Sequence, residues 1–277
     1  MIARRLPTVL PDLTFEEALE ITKIHSIAGV LNNGSLIIER PFRSPHHTIS
    51  GVGLIGGGRV PKPGEISLSH YGVLFLDELL EFNKNTLEVL RGPLEDGFVT
   101  ISRAISTLTY PCNFMLVASM NPCPCGYFGS KEKECTCSEK QRSNYKSRLS
   151  GPMLDRFDIH IQVSSVDYSK LEIKEAEKSK DIKTRVNDAR KIQLKRYKEH
   201  NIFSNSELTP KLIEKYCTLD EKSNEILKDS FKKLKLSLRA YSKILKVART
   251  IADLDKKESI EVSHLIEAIQ YRSLDRI

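Results

Sequence analysis

Segments that would direct a protein into or across a membrane are absent from this sequence. No apolar run is long enough to span a bilayer, and the first residues, Met-Ile-Ala-Arg-Arg, lack the apolar core of a signal peptide. We therefore expect a cytoplasmic protein without a membrane partner. In that reducing compartment, the six cysteines are expected to be free thiols or metal ligands rather than disulfides.

The composition is that of an ordinary globular protein, one large domain or two of ordinary size. The 277 residues are 40% hydrophobic and 29% charged. The net charge of +7 is uneven, because residues 1–164 hold 17 basic and 17 acidic side chains, whereas residues 165–277 hold 26 and 19. The basic second part suits a polyanion such as nucleic acid, or it reflects lysine-rich, solvated helix faces.

A short apolar run in the first part ends in two adjacent carboxylates. Val73–Leu76 has no polar alternation, which predicts a strand buried on both faces of a parallel sheet. Asp77 and Glu78 follow directly, at the edge where open α/β sheets bind ligands. We assign Asp77 to a Mg²⁺ ion and Glu78 to an attacking water, as phosphate chemistry requires. The alternative is a plain exposed acidic pair that ends a strand.

A second apolar strand should bring an amide to the same edge. The run Asn113–Ser119 predicts a buried strand, and Asn121 follows it. An amide beside the acidic pair could hold a water or a γ-phosphate, although an Asn after a strand is more often a turn residue. The other elements expected in this part are a capped helix from Thr14 to about Ala28, a flexible hairpin tip at Gly51–Gly58, a helix from Asn83 to about Leu94, and a hairpin of residues 98–102 and 104–110.

Beyond residue 164 every pattern predicts helix. The boundary between the two parts is expected at residues 164–168, after a helix from Ser138 to about Leu149 and a strand at Ile159–Val163. The helices of the second part are expected at about 169–200, 209–217, 220–235, 238–254 and 261–273.

Four cysteines form two close pairs, Cys123 with Cys125 and Cys135 with Cys137. Four thiols in this arrangement can close a tetrahedral Zn²⁺ site. The C-x-C spacing is less usual than C-x₂-C, because it strains two thiolates onto one ion, so zinc ligands and unligated thiols both stay open. The two isolated cysteines are expected to pack in the core: Cys112 and Cys217.

Five stretches carry specific motifs that extend over nearly the whole chain. They are RSPHHT (Arg43–Thr48), PGEISLSHYGVLFLDE (Pro63–Glu78), ASMNPCPCG (Ala118–Gly126), SRLSGPMLDRFD (Ser147–Asp158) and LRAYSKILKVARTIAD (Leu238–Asp253). Together they resemble the AAA+ ATPases of the magnesium-chelatase-like group, and within it the ComM subfamily. The resemblance implies an α/β AAA+ core over residues 1–164, with a parallel sheet, flanking helices and β-hairpin inserts, and an all-α lid over residues 165–277.

The resemblance also implies roles for individual residues around ATP and Mg²⁺. Asp77 and Glu78 resemble the Walker B pair, and Asn121 is similar to the sensor-1 residue. Arg156 resembles the arginine finger that reaches a neighbour's nucleotide, and Arg239 resembles the sensor-2 arginine of the lid. Guanidinium groups suit these roles, because phosphoryl transfer develops charge on oxygen atoms.

An arginine finger that acts on a neighbour requires a ring, so the resemblance implies a homo-oligomer, a hexamer. The hairpins near Gly51–Arg59 and Phe98–Tyr110 resemble the inserts of this group and would point at the pore. There Arg59, Lys62 and Arg103 would meet branched or single-stranded DNA.

One motif of the family does not occur in this sequence. Family members carry a P-loop, G-x-x-x-x-G-K-[ST], before the segment that matches Met1–Arg5. We therefore expect the first P-loop strand to be absent, the chain to be the C-terminal part of a longer protein, and ATP hydrolysis by it alone to be negligible. The implied function is an ATP-dependent motor acting on branched DNA in recombination and natural transformation. The alternatives are an ATPase subunit of a magnesium chelatase and an inactive truncated product.

Overall fold

The chain forms two compact units in the computed structural model, Met1–Arg156 and Phe157–Ile277. The boundary predicted at 164–168, the start of the helix predicted at 169–200, and residues 104–106 of the predicted hairpin lie outside the described residues. No helix in the described part of the chain is long and apolar enough to cross a membrane. The described residues are 2–31, 34–103, 107–130, 133–163, 177–200, 202–234 and 236–272.

The first unit is built from short helices and strands. Its helices are α1 (Phe15–Ala28), α2 (Gly51–Ile55), α3 (Glu65–Leu68), α4 (Lys84–Glu88), α5 (Arg91–Asp96), α6 (Glu139–Lys146) and α7 (Gly151–Leu154). Its strands are β1 (Phe42–Arg43), β2 (Gly56–Gly57), β3 (Lys62–Pro63), β4 (Val73–Leu76), β5 (Phe98–Ser102), β6 (Thr107–Pro111) and β7 (Met115–Ala118).

Three of these strands form a parallel sheet in the order β1–β4–β7. Val73 of β4 pairs with Phe42 on one side and with Met115 on the other. Val73, Leu74 and Leu76 are each 0% exposed, as expected for a strand covered on both faces. The parallel sheet with its flanking helices confirms the fold class predicted for this part of the chain.

Strands β1 and β4 can pair because a glycine precedes β4. A Cβ atom placed on Gly72 would lie 2.1 Å from the carbonyl oxygen of Pro41, closer than non-bonded atoms can approach. The same oxygen accepts a hydrogen bond from the main-chain N–H of Val73 at 2.8 Å. This pairing therefore requires glycine at position 72.

Helix α1 begins at the predicted capping box. The Thr14 hydroxyl accepts a hydrogen bond from the main-chain N–H of Glu17 at 3.2 Å, and the Glu17 carboxylate accepts one from the N–H of Thr14 at 3.0 Å. These reciprocal bonds satisfy two donors that a helix start leaves unpaired. Gly29, in the left-handed conformation, ends the helix.

Two predicted elements of the first unit differ from the structure. The glycine-rich stretch expected as a flexible hairpin tip begins with helix α2, because the Ser50 hydroxyl caps it by accepting a hydrogen bond from Gly53 N at 3.1 Å. Only Gly56 and Gly57 belong to a hairpin there. The single helix expected from Asn83 to about Leu94 is divided into α4 and α5.

The predicted strand at Ile159–Val163 is wrong, because these residues form no strand. The main-chain N–H of His160 donates to the carbonyl of Tyr271 at 2.6 Å. The alternating apolar side chains are exposed, so the pattern does not mark a buried sheet face.

The second unit is helical, as predicted. A buried apolar cluster forms its core, mainly from the helix Leu238–Leu254 and the segments packed against it, and includes Tyr197, Leu227, Ile244, Ala248 and Leu265. Its helices are α8 (Ser179–Arg196), α9 (Pro210–Tyr216), α10 (Glu221–Leu234), α11 (Leu238–Leu254) and α12 (Val262–Gln270).

A buried polar network crosses this helical unit. Asp253 on α11 is 0% exposed, and its carboxylate accepts hydrogen bonds from Asn205 at 2.9 Å, Gln193 at 3.3 Å and Arg249 Nε at 3.2 Å. Arg196 pairs with the same carboxylate through both terminal nitrogens. The network satisfies a buried charge that would otherwise be costly.

Candidate functional site

The register of the parallel sheet brings the predicted acidic pair next to the end of β7. Leu76 pairs with Ala118, so Asp77 and Ser119 leave the sheet side by side. The main-chain N–H of Leu79 donates to the carbonyl of Ser119 at 2.8 Å, and the Ser119 hydroxyl makes a short hydrogen bond to Asp77 Oδ1. The sheet edge therefore joins the two segments that the sequence predicted to meet.

Glu78 holds an unusual backbone conformation directly after Asp77. Its φ and ψ are 53° and 49°, a left-handed conformation that costs a non-glycine residue about 1–3 kcal/mol. Its side chain is 53% exposed, and His47 Nδ1 lies 3.6 Å from its Oε2. The His47 ring also packs edge-on against Phe82, with ring centroids 6.3 Å apart. The carboxylate of Glu78 is thus open to solvent, with an imidazole beside it.

The chemistry of this edge fits a hard cation. Asp77 is exposed, and its carboxylate lies with the Ser119 hydroxyl among oxygen donors of the kind that Mg²⁺ prefers. Asn121 is also exposed, three residues beyond the end of β7. An open cavity of about 570 Å³ lies beside His47 and is lined further by Glu81, Asn83 and Asn85 among others.

Sequence reasoning missed Ser119, His47 and Arg148 as parts of this site. Arg148 donates to the carbonyl of Leu80 at 3.0 Å and to Glu81 at 3.2 Å, so it reaches the segment that follows the acidic pair. All three lie inside the quoted motifs, and only their spatial contacts distinguish them from neighbouring polar residues. The neighbouring rings of His46 and His47 are tilted against each other, with centroids 4.1 Å apart.

Arg156, the predicted arginine finger, is held within its own unit. Its side chain is 7% exposed and lies 2.6 Å from Glu95 Oε1, and it donates to the carbonyl of Pro152 at 2.5 Å. In this conformation the guanidinium is not presented at the surface. A role at a neighbour's nucleotide would require it to leave Glu95.

Arg239, the predicted sensor-2 residue, lies in the first turn of α11 in the second unit and is exposed. Because Asp77 belongs to the first unit, a meeting of Arg239 with the acidic pair stays a prediction.

The three basic residues expected to contact DNA are exposed on two neighbouring hairpins. Arg59 and Lys62 belong to the β2–β3 hairpin, and Arg103 follows β5. The Tyr110 hydroxyl donates to the carbonyl of Pro61 at 2.9 Å, which ties the hairpins together. A Cβ atom on Gly57 would lie 3.0 Å from Arg103 Nη2, so the cations of both hairpins share one region.

The four paired cysteines form a compact cluster. All four sulfur atoms lie within 4.8 Å of one another, and three of the separations are 3.4 Å (Cys123–Cys125), 3.7 Å (Cys123–Cys135) and 3.6 Å (Cys125–Cys135). The main-chain N–H of Tyr127 lowers the pKa of Cys125 to about 5, whereas burial raises the pKa of Cys137 to about 11. The isolated cysteines are buried, as predicted: Cys112 and Cys217.

A parallel sheet with an acidic pair at its edge, followed along the chain by a helical unit, is the arrangement of an AAA+ core with its lid. The family model "Magnesium chelatase, subunit ChlI" matches residues 1–171, and the model of the ChlI C-terminal region matches residues 176–272. The chain belongs to the magnesium-chelatase-like family of AAA+ proteins, in its ComM-like branch.

Curated relatives agree with this membership. The protein YifB of Salmonella typhimurium and the competence protein ComM of Haemophilus influenzae are each 43% identical to the chain over 279 residues, which cover 100% of the chain and 54% of each relative. The chloroplastic magnesium-chelatase subunit ChlI of Oryza sativa is 22% identical over 173 residues, 61% of the chain and 35% of the relative. The chain thus spans about half the length of the relatives it matches at 43% identity.

Proposed function

We propose that this chain works as part of an ATP-driven AAA+ motor of the ComM type that acts on branched DNA. In this proposal copies of the chain assemble into a homo-oligomeric ring, a hexamer, in the cytoplasm. The sequence motifs, the family membership and the surplus of basic charge in the second part support it.

The sheet edge would carry the phosphate chemistry. The carboxylate of Asp77 and the hydroxyl of Ser119 would hold Mg²⁺, which neutralises phosphate charge when it is bound. The Glu78 carboxylate would orient the attacking water and accept its proton. The Asn121 amide would hold that water or the γ-phosphate. The hydrogen bond from Ser119 to Asp77 is the observation that carries this assignment, because it ties both segments to one point.

Two arginines would complete the site. Arg239 would contact the γ-phosphate from the lid, and Arg156 would reach a neighbour's nucleotide after it leaves Glu95. Because no P-loop motif occurs in the sequence, we expect ATP hydrolysis by the 277-residue chain alone to be negligible. Saturable hydrolysis at low concentrations of the purified chain would contradict this expectation.

The role of Glu78 can be tested in a chimera that supplies the P-loop. Haemophilus influenzae ComM is 43% identical to this chain over the part that it matches. The segment of ComM that precedes this part would be fused before Met1. Glu78→Gln should lower kcat by about 10²–10⁴-fold, the usual contribution of a general base. Glu16→Gln, an exposed acid in the first turn of α1, is the matched control. Equal rates for Glu78→Gln and the control would remove Glu78 from the reaction.

DNA action is tested by binding of forked and four-way DNA in a gel shift. We expect binding that weakens steeply with salt, because phosphate contacts release counterions. The second candidate is an ATPase subunit of a magnesium chelatase, which the 22% identity to ChlI favours. Absence of DNA binding even at low salt would support that candidate instead.

We also propose that the four-cysteine cluster binds a structural Zn²⁺ ion. Zinc–sulfur bonds of about 2.3 Å in a tetrahedron separate the sulfur atoms by about 3.8 Å, and the three separations of 3.4–3.7 Å are close to that value. Metal analysis of the purified chain should find one zinc per chain. Cys135→Ser should release the ion and lower the thermal stability. Cys112→Ser, at an isolated cysteine, should keep the ion. Unchanged metal content and stability in Cys135→Ser would mean that the thiols are unligated.

A further inference from the structure

The loop that carries the cysteine cluster also carries two exposed aromatic rings with cations beside them. Tyr127 is 39% and Phe128 45% exposed. Lys133 Nζ lies 4.5 Å from the centre of the Tyr127 ring, and the guanidinium of Arg142 lies 4.7 Å from the centre of the Phe128 ring. Lys146 is 5.8 Å from the same ring. We name these five residues the aromatic–basic face.

The cysteine cluster and helix α6 hold this face in place. The main-chain N–H of Phe128 donates to Cys123 Sγ at 3.4 Å, which fixes the backbone of the aromatic pair. Arg142 donates to the carbonyl of Cys137 at 2.5 Å, which fixes the cation over the ring. Little ordering is therefore needed before a ligand binds here.

The charge around the face is predominantly positive. Five basic and two acidic side chains occupy the described residues 133–148. A smaller cleft of about 190 Å³ continues beside the cysteine loop, lined by Pro124, Tyr145 and Arg148 among others, and the Arg148 guanidinium lies 5.6 Å from the Tyr145 ring. The basic residues are Lys133, Lys140, Arg142, Lys146 and Arg148, and the acidic residues are Glu134 and Glu139.

We infer that the aromatic–basic face binds single-stranded DNA, with bases stacked on Phe128 and Tyr127 and phosphates against the surrounding cations. Exposed aromatic rings next to cations are the combination that binds single strands without sequence preference, because every base has a flat face and every phosphate a negative charge. Paired bases cannot stack in this way, so single strands bind more tightly than duplex. The inference rests on the proposed action on DNA and names a contact surface outside the two hairpins.

The absence of tryptophan from the chain allows a direct test. Phe128→Trp keeps a stacking ring and introduces the one tryptophan of the chain, whose emission can be excited apart from that of tyrosine. Titration with an oligothymidine of about 15 nucleotides, a length chosen to span one single-strand site, should quench its emission and leave the affinity within about twofold. A duplex of the same length should quench it much less. Phe15→Trp, at a side chain that is 67% exposed in α1, is the control and should not respond.

Affinity measurements complete the test. Tyr127→Ala with Phe128→Ala should weaken oligothymidine binding about tenfold or more, whereas Phe15→Ala should not. Lys133→Ala with Lys146→Ala should lower the slope of log affinity against log salt by about one per lysine. Zinc content and circular dichroism of each variant show that the cluster and fold persist.

The outcomes separate this inference from the proposed function. If the chain binds single strands but the emission of the Phe128→Trp variant does not change and the aromatic double variant binds normally, the face is not the site, while action on DNA stands. If Arg59, Lys62 and Arg103 variants alone abolish binding, the hairpins carry it. If the chain binds no DNA at low salt, both the inference and the proposed action on DNA are overturned.

Discussion

The acidic pair at the sheet edge of the first unit and the carboxylate of Asp253 in the second unit have opposite environments. Asp77 and Glu78 stand exposed at the sheet edge of the first unit, whereas Asp253 of the second unit is 0% exposed and paired with two arginines. Exposed carboxylates remain available to a ligand and contribute little to stability. A buried, fully bonded carboxylate instead makes its helices depend on it. Substitutions at the two places should therefore differ in their effect on stability.

The largest effect is expected at Asp253. Arg249 is 2% exposed, and Asp253→Ala leaves its buried guanidinium without a carboxylate partner. The substitution also removes the acceptor of the hydrogen bonds from Asn205 and Gln193. Breaking such a pair should lower the free energy of unfolding of the second unit by about 3–5 kcal/mol. Hydrogen exchange measured by mass spectrometry gives the protection of peptides from each unit separately, so it can report the loss of stability in the second unit.

Two variants control this prediction. Asp229→Ala removes an exposed carboxylate from α10. The free energy of unfolding obtained from exchange should change by less than about 0.5 kcal/mol. Asp77→Ala should likewise leave the protection of the first unit nearly unchanged. An Asp253→Ala chain that is as stable as Asp229→Ala would show that the network is dispensable.

A smaller effect is expected at the helix caps, where the units should behave alike. Thr14 caps α1 through a capping box, and the Ser237 hydroxyl caps α11 by accepting a hydrogen bond from Ala240 N at 3.1 Å. Thr14→Ala and Ser237→Ala should each cost about 1 kcal/mol, measured by urea unfolding. A loss above about 3 kcal/mol in either variant would mean that its cap does more than end a helix.

The smallest effect is a pH dependence of the first unit. Burial lowers the pKa of His70, which is 2% exposed, and of His25 below their ordinary 6.5. The unfolded chain then binds protons more readily than the folded one, so stability is present above pH 6.5 and is lost as the pH falls below it. The thermal stability of the first unit should therefore drop between about pH 7.5 and about pH 5.5.

A histidine substitution sharpens this last comparison. His70→Gln should remove part of the dependence, because the neutral amide does not titrate, while His46→Gln, at an exposed position, should leave it intact. If the thermal stability of the first unit falls with pH by the same amount in wild type and in His70→Gln, the dependence comes from other groups.

Much of this fold could be predicted where local pattern and tertiary structure agree. The uninterrupted apolar run of β4 and the capping box of α1 each predict their element from a few neighbouring residues. The spacing of the four cysteines left a metal site and unligated thiols both open, and the structure brings the four sulfur atoms together. The parallel sheet then had to bring the ends of β4 and β7 to one edge.

The remainder depends on contacts between residues distant in sequence. The strand predicted at Ile159–Val163 had the right alternation, but its main chain bonds to Tyr271 instead. The burial of Asp253 has no sequence signal, since an Asp near a helix end is usually solvated. The contact of Ser119 with Asp77 spans 42 positions, and no local pattern predicts it.

The close approach of Gly72 to Pro41 bears on how a deep mutational scan of this protein should be interpreted. Every substitution at Gly72 would be lost from a selected library, as would many at Asp77, and the two columns would look alike. At Gly72 the intolerance would come from the absence of room for even a methyl group, and charge or shape would make no difference. A position that tolerates alanine as poorly as aspartate is constrained by the spacing between strands. Such a position should not be counted among the residues of the neighbouring candidate site.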